Sequence, residues 1–494
     1  MNRPSLINFQ GLSILYALTL ISYLLSVLCC LAQPQPAWVA RYNGGFTNQA
    51  HVPLAMKLDT AGNIYVAGSS QNVSNVYDYV VLKYAPNDTQ LYAARYSSTN
   101  GMNFTINGFV LDQKGNTYCT GTGGTVKFDR NGQVAWAAPY AGNDVAVDTN
   151  GNVYVTGFST AEYATVKLNS TGKNLWMRTY VGTTGPGNPV GVSQKVAVDD
   201  AGNVYVAGWT DYGVGVPPTE EQTNLIYYSQ QQILMYDTLG NPVWTNAAYW
   251  FPEWGTTIAL ILNNLGNLYT TVSVGGTARI NMGGQEAWTQ SADPIGGIKG
   301  MAIDTNGNAF IIGWPYVVLK LNATNGQVVW IIQSSSGQAN SIALDNSANV
   351  YVTGITNAGA SGDDWKTVKY DNKGNQQWVI FYNGPANGND GATAIAVAPD
   401  GSIYVTGYSA NPNGGSDITT IKYGNLTNIQ KQSDGSIQLQ FFGNPSLSYN
   451  LQATTDFLNW TNLGFSLADT NGLFEFLDTN APLFPYRFYR HSLP

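Results

Sequence analysis

One ten-residue pattern, Asp-x-x-Gly-Asn-x-Tyr-Val-x-Gly, recurs along most of this 494-residue chain, each time after an alternating apolar run. Clear copies occupy 59–68, 112–121, 148–157, 199–208 and 304–313. Three further copies are degenerate. Asn263 replaces the aspartate in one, Ala348 replaces the first glycine in another, and Ala398-Pro399-Asp400-Gly401 shifts the acid in the last. The eight copies lie about 48 residues apart on average. A fixed period of this size means one supersecondary unit, too small to bury its apolar face alone, covered by copies of itself.

A second motif follows each first one: (Thr/Val)-Val-Lys-Tyr, a short Asp/Asn–Gly turn, then Trp. Examples run from Lys127 to Trp136 and from Lys369 to Trp378, and others from Lys167 to Trp176 and Lys320 to Trp330. Met235 and Arg279 take the lysine slot before Trp244 and Trp288, and Tyr92 stands where the first Trp is expected. Each unit thus holds four short runs rich in Val, Ile, Tyr and Trp, bounded by turn residues, which predicts a four-stranded antiparallel meander. Four strands in about 48 residues are the proportions of a propeller blade. The repeat is out of phase at its ends. The last unit stops at Lys422-Tyr423 without a Trp strand, while the segment Trp38-Val39-Ala40-Arg41-Tyr42 is a Trp strand without a unit. The surplus strand is expected to complete the final blade and close the ring, hiding two sheet edges. The fold class is therefore all-β, an eight-bladed β-propeller closed by an N-terminal strand. Seven blades is the alternative, because the unit around Asn263 is the most diverged.

The repeat stops after Tyr423. Residues 33–424 are assigned to the propeller and 425–494 to a small all-β C-terminal module, with alternating runs at 436–441, 449–453 and 473–476. Over residues 38–423 the paired motifs resemble the bacterial SBBP-type β-propeller repeats, relatives of the NHL and YVTN propellers. That resemblance implies an exported surface protein and no particular activity. The run from Tyr449 to Trp460 and the ending Phe484-Pro-Tyr-Arg-Phe-Tyr489-Arg490 resemble a C-terminal module of secreted proteins from Verrucomicrobia-like bacteria, which implies surface display or sorting.

Residues 1–32 read as a secretory signal: Arg3, an apolar stretch from Leu12 to Leu31, and small Ala32 before Gln33-Pro34-Gln35-Pro36. Secretion or a cell-surface location follows, with a retained N-terminal anchor as the alternative and no membrane span after cleavage. Cleavage would remove Cys29 and Cys30, leaving Cys119 without a disulfide partner. With a net charge of −8 and only 11% charged residues, the chain lacks the basic face of a nucleic-acid binder. No cofactor and no metal site is expected, since two histidines and one mature cysteine are too few ligands. Asp148-x-Asn150-Gly-Asn152 hints at a calcium loop, but its glycine is in the wrong place and it lacks the closing glutamate. A monomer is expected.

Let the four strands of a unit be a (ending at the Asp), b (Tyr-Val), c (Lys-Tyr) and d (Trp). The a–b and c–d turns share one face of the disc and are short and uniform. The b–c and d–a loops share the other face and vary widely, which marks it as the candidate binding face. It carries Asp144, Trp209, Asp211, Tyr212, Trp314, Tyr316, Asp364, Trp365, Asp390 and Asp417. Aromatic rings beside carboxylates suit sugars or cationic groups. The expected function is non-enzymatic: adhesion, binding or scaffolding for a protein or glycan ligand. A carbohydrate-active propeller, lectin or glycoside hydrolase, is the alternative.

Overall fold

The computed structural model describes residues 34–492 except 35, 46–47, 160–161, 181–190, 213–227, 252–254, 275, 292–294, 335, 358–361, 424–425, 443–447, 456–458, 470–472 and 485–486. The expected signal, residues 1–32, lies outside them. Among the described residues each repeat forms one four-stranded antiparallel sheet, and there are eight such sheets. In chain order they span 51–96, 106–138, 144–180, 191–251, 257–291, 297–333, 338–382 and 390–423. The a strands of consecutive sheets touch one another, and that of the eighth sheet touches that of the first. They therefore line the axis of a closed ring, with the d strands at the rim. This arrangement is a β-propeller.

Closure follows the phase mismatch read from the sequence. Strand Pro36–Tyr42 lies antiparallel to Ser416–Tyr423, with Trp38 opposite Lys422 and Tyr42 opposite Ile418. The eighth sheet thus gains its d strand from the N-terminal end of the chain. The chain's C-terminal segment forms two three-stranded sheets around Leu439, Phe441, Tyr449, Leu451 and Phe474.

The repeat's signature residues meet in one contact, made again at most seams. In the a–b turn, Asp148 Oδ1 accepts the backbone N–H groups of Asn150 and Asn152. Its Oδ2 accepts Asn152 Nδ2 at 2.8 Å and the Tyr154 hydroxyl at 3.0 Å. Four donors saturate one carboxylate, so this loop is a hairpin cap and not a cation cradle. Asp59, Asp112 and Asp345 repeat the set. The tyrosine ring so fixed carries the strand-c lysine on its face. Lys167 Nζ lies 5.1 Å from the Tyr154 centroid, and Lys83, Lys127, Lys369 and Lys422 sit likewise on Tyr65, Tyr118, Tyr351 and Tyr404.

That lysine and the strand-d tryptophan then reach the same carbonyl oxygen of the next sheet. Trp176 Nε1 and Lys167 Nζ both donate to Thr238 O, at 3.4 and 3.0 Å. Trp136 and Lys127 share Ser170 O, Trp330 and Lys320 share Asn372 O, and Trp38 and Lys422 share Pro86 O. Arg279 takes the lysine's part beside Trp288 at Ala323 O. Each acceptor is the second residue of a c–d turn. The glycine of that turn is obligatory because the ring lies against it: at Gly172, φ is +83° and a Cβ would stand 2.7 Å from the Trp136 ring.

The diverged fifth unit shows what the aspartate does. Asn263 offers only one acceptor oxygen, so the Tyr269 hydroxyl turns to Gly307 O in the next sheet at 2.8 Å. Asn263 Nδ2 is left buried without a partner.

A second set of seam contacts, on the axis, has no signature in the motif. Most a strands carry a β-bulge five residues before the repeat Asp position, at Leu54, Asn107, Gln194, Ile258, Lys299, Asn340 and Thr393. Asn143 holds the equivalent place in the third sheet. Several of these side chains reach the next sheet's backbone: Asn107 to Gly142 O, Asn143 to Ser193 O and Asn340 to Ala392 O, all near 3.0 Å. One position later, Asp144 Oδ2 accepts the Val196 N–H at 3.1 Å, just as Ser341 Oγ accepts that of Ile395.

Two measurements check this account. Asp148→Ala should cost about 3 kcal/mol in urea unfolding, because it orphans buried donors including the Tyr154 hydroxyl. Asp304→Ala should cost less, since Phe310 replaces the tyrosine there. For Asp144, burial raises the carboxyl pKa against the lowering effects of Lys195 and the Val196 N–H. A carboxyl held above its unfolded pKa binds protons more tightly in the folded state, so its contribution to stability falls as pH rises through that window. Asp144→Asn, which keeps an acceptor for Val196, should therefore unfold at higher urea than the parent at pH 7, by a margin that shrinks towards pH 4.

Candidate functional site

On the variable face the ring's axis opens into a cavity of about 630 Å³. It lies at the starts of the a strands of the third to sixth sheets and is lined by Asn143, Gln194, Lys195, Trp209, Thr256 and Lys299, among others. The bulges place these groups. An extra residue in an antiparallel strand bends it and re-aims a side chain. Here the bulges fall at Gln194 and Lys299, both of which line the cavity. Gln194 Oε1 accepts the Thr257 N–H. Trp209, 8% exposed, packs against Val272 and Val192 and closes one side.

Lys195 and Lys299 are the cavity's charged groups. Among the described residues no carboxylate comes within ion-pair distance of either ammonium. Asp144 is near enough to Lys195 for its pKa to feel that charge, but its Oδ2 is committed to Val196.

The candidate residues chosen from the sequence are dispersed by the structure. Trp209 lines the cavity and Asp144 sits in the neighbouring seam. Trp314, at the end of strand Ala309–Trp314, is 55% exposed on the variable face. Tyr316 and Trp365 are enclosed. The Tyr316 hydroxyl donates to Val352 O at 3.0 Å, and Trp365 Nε1 donates to Tyr408 O at 3.1 Å. Their aromatic bulk fills seams between sheets and is not offered to solvent.

Asp390 and Asp417 are buried as well. Asp390 accepts the N–H groups of Gly384 and Ala410, which shapes the loop before its own strand. Asp417 accepts Asn411 Nδ2 at 3.0 Å and faces Arg41 of the closing strand at 4.0 Å. Asp78 has the matching set, Asn72 and Arg95. Asp364 is half-buried with one carboxylate oxygen unpartnered, and burial, then Asp390 and Asp363, raise its pKa. Asp211 and Tyr212 end strand Val204–Tyr212, and their side chains lie outside the described residues.

The sequence reading passed over Lys195, Lys299 and Gln194 because they sit inside apolar strand a, where function was not sought. Aligning the eight copies on their Asp would have shown them. Five residues before that position the column reads Leu54, Asn107, Asn143, Gln194, Ile258, Lys299, Asn340 and Thr393, with a single charge. The next column is small apart from Asp144 and Lys195. Among the described residues no cluster of three or more His, Cys, Asp or Glu side chains could hold a metal ion. No helix there is long and apolar enough to cross a membrane.

The SBBP β-propeller repeat model matches residues 139–163 and 178–212, across the third and fourth sheets. No curated protein matches the chain. Among solved structures, the C-terminal WD40 domain of Sif2 aligns with a TM-score of 0.53 at 10% identity, covering 79% of this chain and 98% of that one. The Dos1 propeller aligns at 0.52 and 10% identity, covering 78% and 95%. BamB from Moraxella catarrhalis aligns at 0.49 and 16% identity, covering 79% and 100%. At such identities the first two likenesses speak for the fold alone, and they agree with the ring of sheets described above. The chain is a β-propeller, and its residues 139–163 and 178–212 carry the SBBP repeat.

Proposed function

We propose that this protein is exported and acts without catalysis, as a cell-surface binding or scaffolding propeller that engages a protein or glycan through its variable face. The observation that carries the reading is the cavity at the mouth of the axis, where Lys195, Lys299 and Trp209 depart from the repeat and the lysines take no part in the recurring seam contacts. The opposite face is occupied by its own tight turns, whose donors and acceptors satisfy one another. Export rests on residues 1–32, and display on the C-terminal sheets. Asp144, Asp390 and Asp417 each accept hydrogen bonds from the framework, which favours binding over acid–base chemistry on that face.

Purified protein should be retained on a glycan array or on immobilised cell-wall material without turning over any polysaccharide. Trp314→Ala should weaken that retention with no change in Tm. Turnover of a substrate would overturn the non-catalytic reading. N-terminal sequencing of protein recovered from the producing cells should begin after Ala32, and an intact Met1 in the cytosol would overturn export.

A further inference from the structure

Two groups of lysines in this chain contrast with each other. Those of strand c lie on aromatic faces, and Lys127, Lys167, Lys320 and Lys422 also donate to the next sheet's carbonyls. Lys195 and Lys299 belong to strand a and line the axial cavity, and among the described residues neither meets an aromatic face or a carbonyl acceptor. The neighbours of Lys299 in the bulge column, Ile258 and Asn340, carry no charge. Lys299 is the one charge of the bulge column. Lys195 stands one position later in its own strand, where Asp144 is the other charged residue of the repeat, and both ammonium groups line the same cavity. In a chain of net charge −8, the mouth of the axis is a local positive site.

We infer that this cavity is an anion site for an acidic oligosaccharide, with Lys195 and Lys299 taking uronate carboxylates. The inference rests on the binding reading above and names its ligand class. A volume of about 630 Å³ exceeds what a small inorganic anion needs and lies within the range of sites for small organic ligands. The uncharged lining also suits hydroxyls. Asn143 spends its Nδ2 on Ser193 O and keeps Oδ1 as an acceptor, while Gln194 spends Oε1 on Thr257 and keeps Nε2 as a donor. The Thr256 hydroxyl adds a group that can donate or accept. Trp209 supplies an apolar wall against which the C–H face of a sugar ring can lie. An acidic peptide would satisfy the lysines and these amides as well, so the Trp209 wall is what favours a sugar ring.

Titration calorimetry of the purified protein with trigalacturonate, maltotriose and triglutamate tests this. One trigalacturonate should bind per chain, more weakly as salt rises, and maltotriose should not. Lys195→Gln and Lys299→Gln should each lower its affinity about tenfold, the loss expected of one charge-assisted contact, at unchanged Tm. Lys57→Gln, an axial lysine outside the cavity, should leave affinity intact. Equal binding of maltotriose, or affinity unmoved by both cavity variants, would overturn the anion site. Triglutamate binding as tightly as trigalacturonate would overturn the saccharide assignment. No heat with trigalacturonate would also sink it, while retention through the exposed Trp314 face would still be open to the array experiment.

Discussion

The rest of the ring depends on a single carbonyl oxygen, at the second position of most c–d turns. One indole N–H and one ammonium from the preceding sheet converge on it, as Trp176 and Lys167 do on Thr238. The ammonium is held there by a tyrosine face, and the tyrosine by an aspartate that also shapes its own turn. A neutral hydrogen bond is worth about 1 kcal/mol net, and a partly desolvated cation–π contact about as much or more. Each seam is modest, yet the contact recurs around the circle. Because the N-terminal strand completes the eighth sheet, Trp38 and Lys422 make the seam to the first sheet like the others. The eighth sheet has no continuous c–d turn, and Trp378 of the seventh packs instead among Tyr351, Ile395 and Tyr423.

This economy divides the molecule. The Asp, Tyr, Lys and Trp contacts of the motifs lie at the face of tight turns, so that face is fixed by the requirement that sheets hold together. The opposite face contributes less to the seams, and its loops can vary in length. On the axis the bulged residues sit between the two regimes. In some sheets they bridge to the next strand, as Asn107 and Asn340 do, and in the sixth the position is released to a lysine.

Most of the fold was legible in the sequence because its determinants are local and repeated. The Asp–Gly hairpins, the alternating strands and the phase mismatch at the ends each leave a periodic trace, and the Asn263 unit proved to be a true sheet with a rerouted tyrosine. The candidate site was legible only in part. Asp390 and Asp417 were attractive because carboxylates in loops bind ligands, but carboxylates also accept backbone N–H groups, and residue type alone does not separate the two. Tyr316 and Trp365 failed to reach solvent for a related reason, since aromatic bulk serves a seam as well as a surface. Lys299 was hidden because a bulge shifts the register by one residue, and strict alternation cannot show which side chain the extra residue re-aims.

The claim that repeat lysines hold the ring while axial lysines do not is open to one direct comparison. Thermal unfolding of Lys127→Met, Lys167→Met, Lys320→Met and Lys422→Met should show a lowered Tm in every case, since each loses a cation from an aromatic face and a donor from a shared carbonyl. Lys195→Met and Lys299→Met should melt within error of the parent. Equal losses in the two groups, or none in the first, would contradict the account.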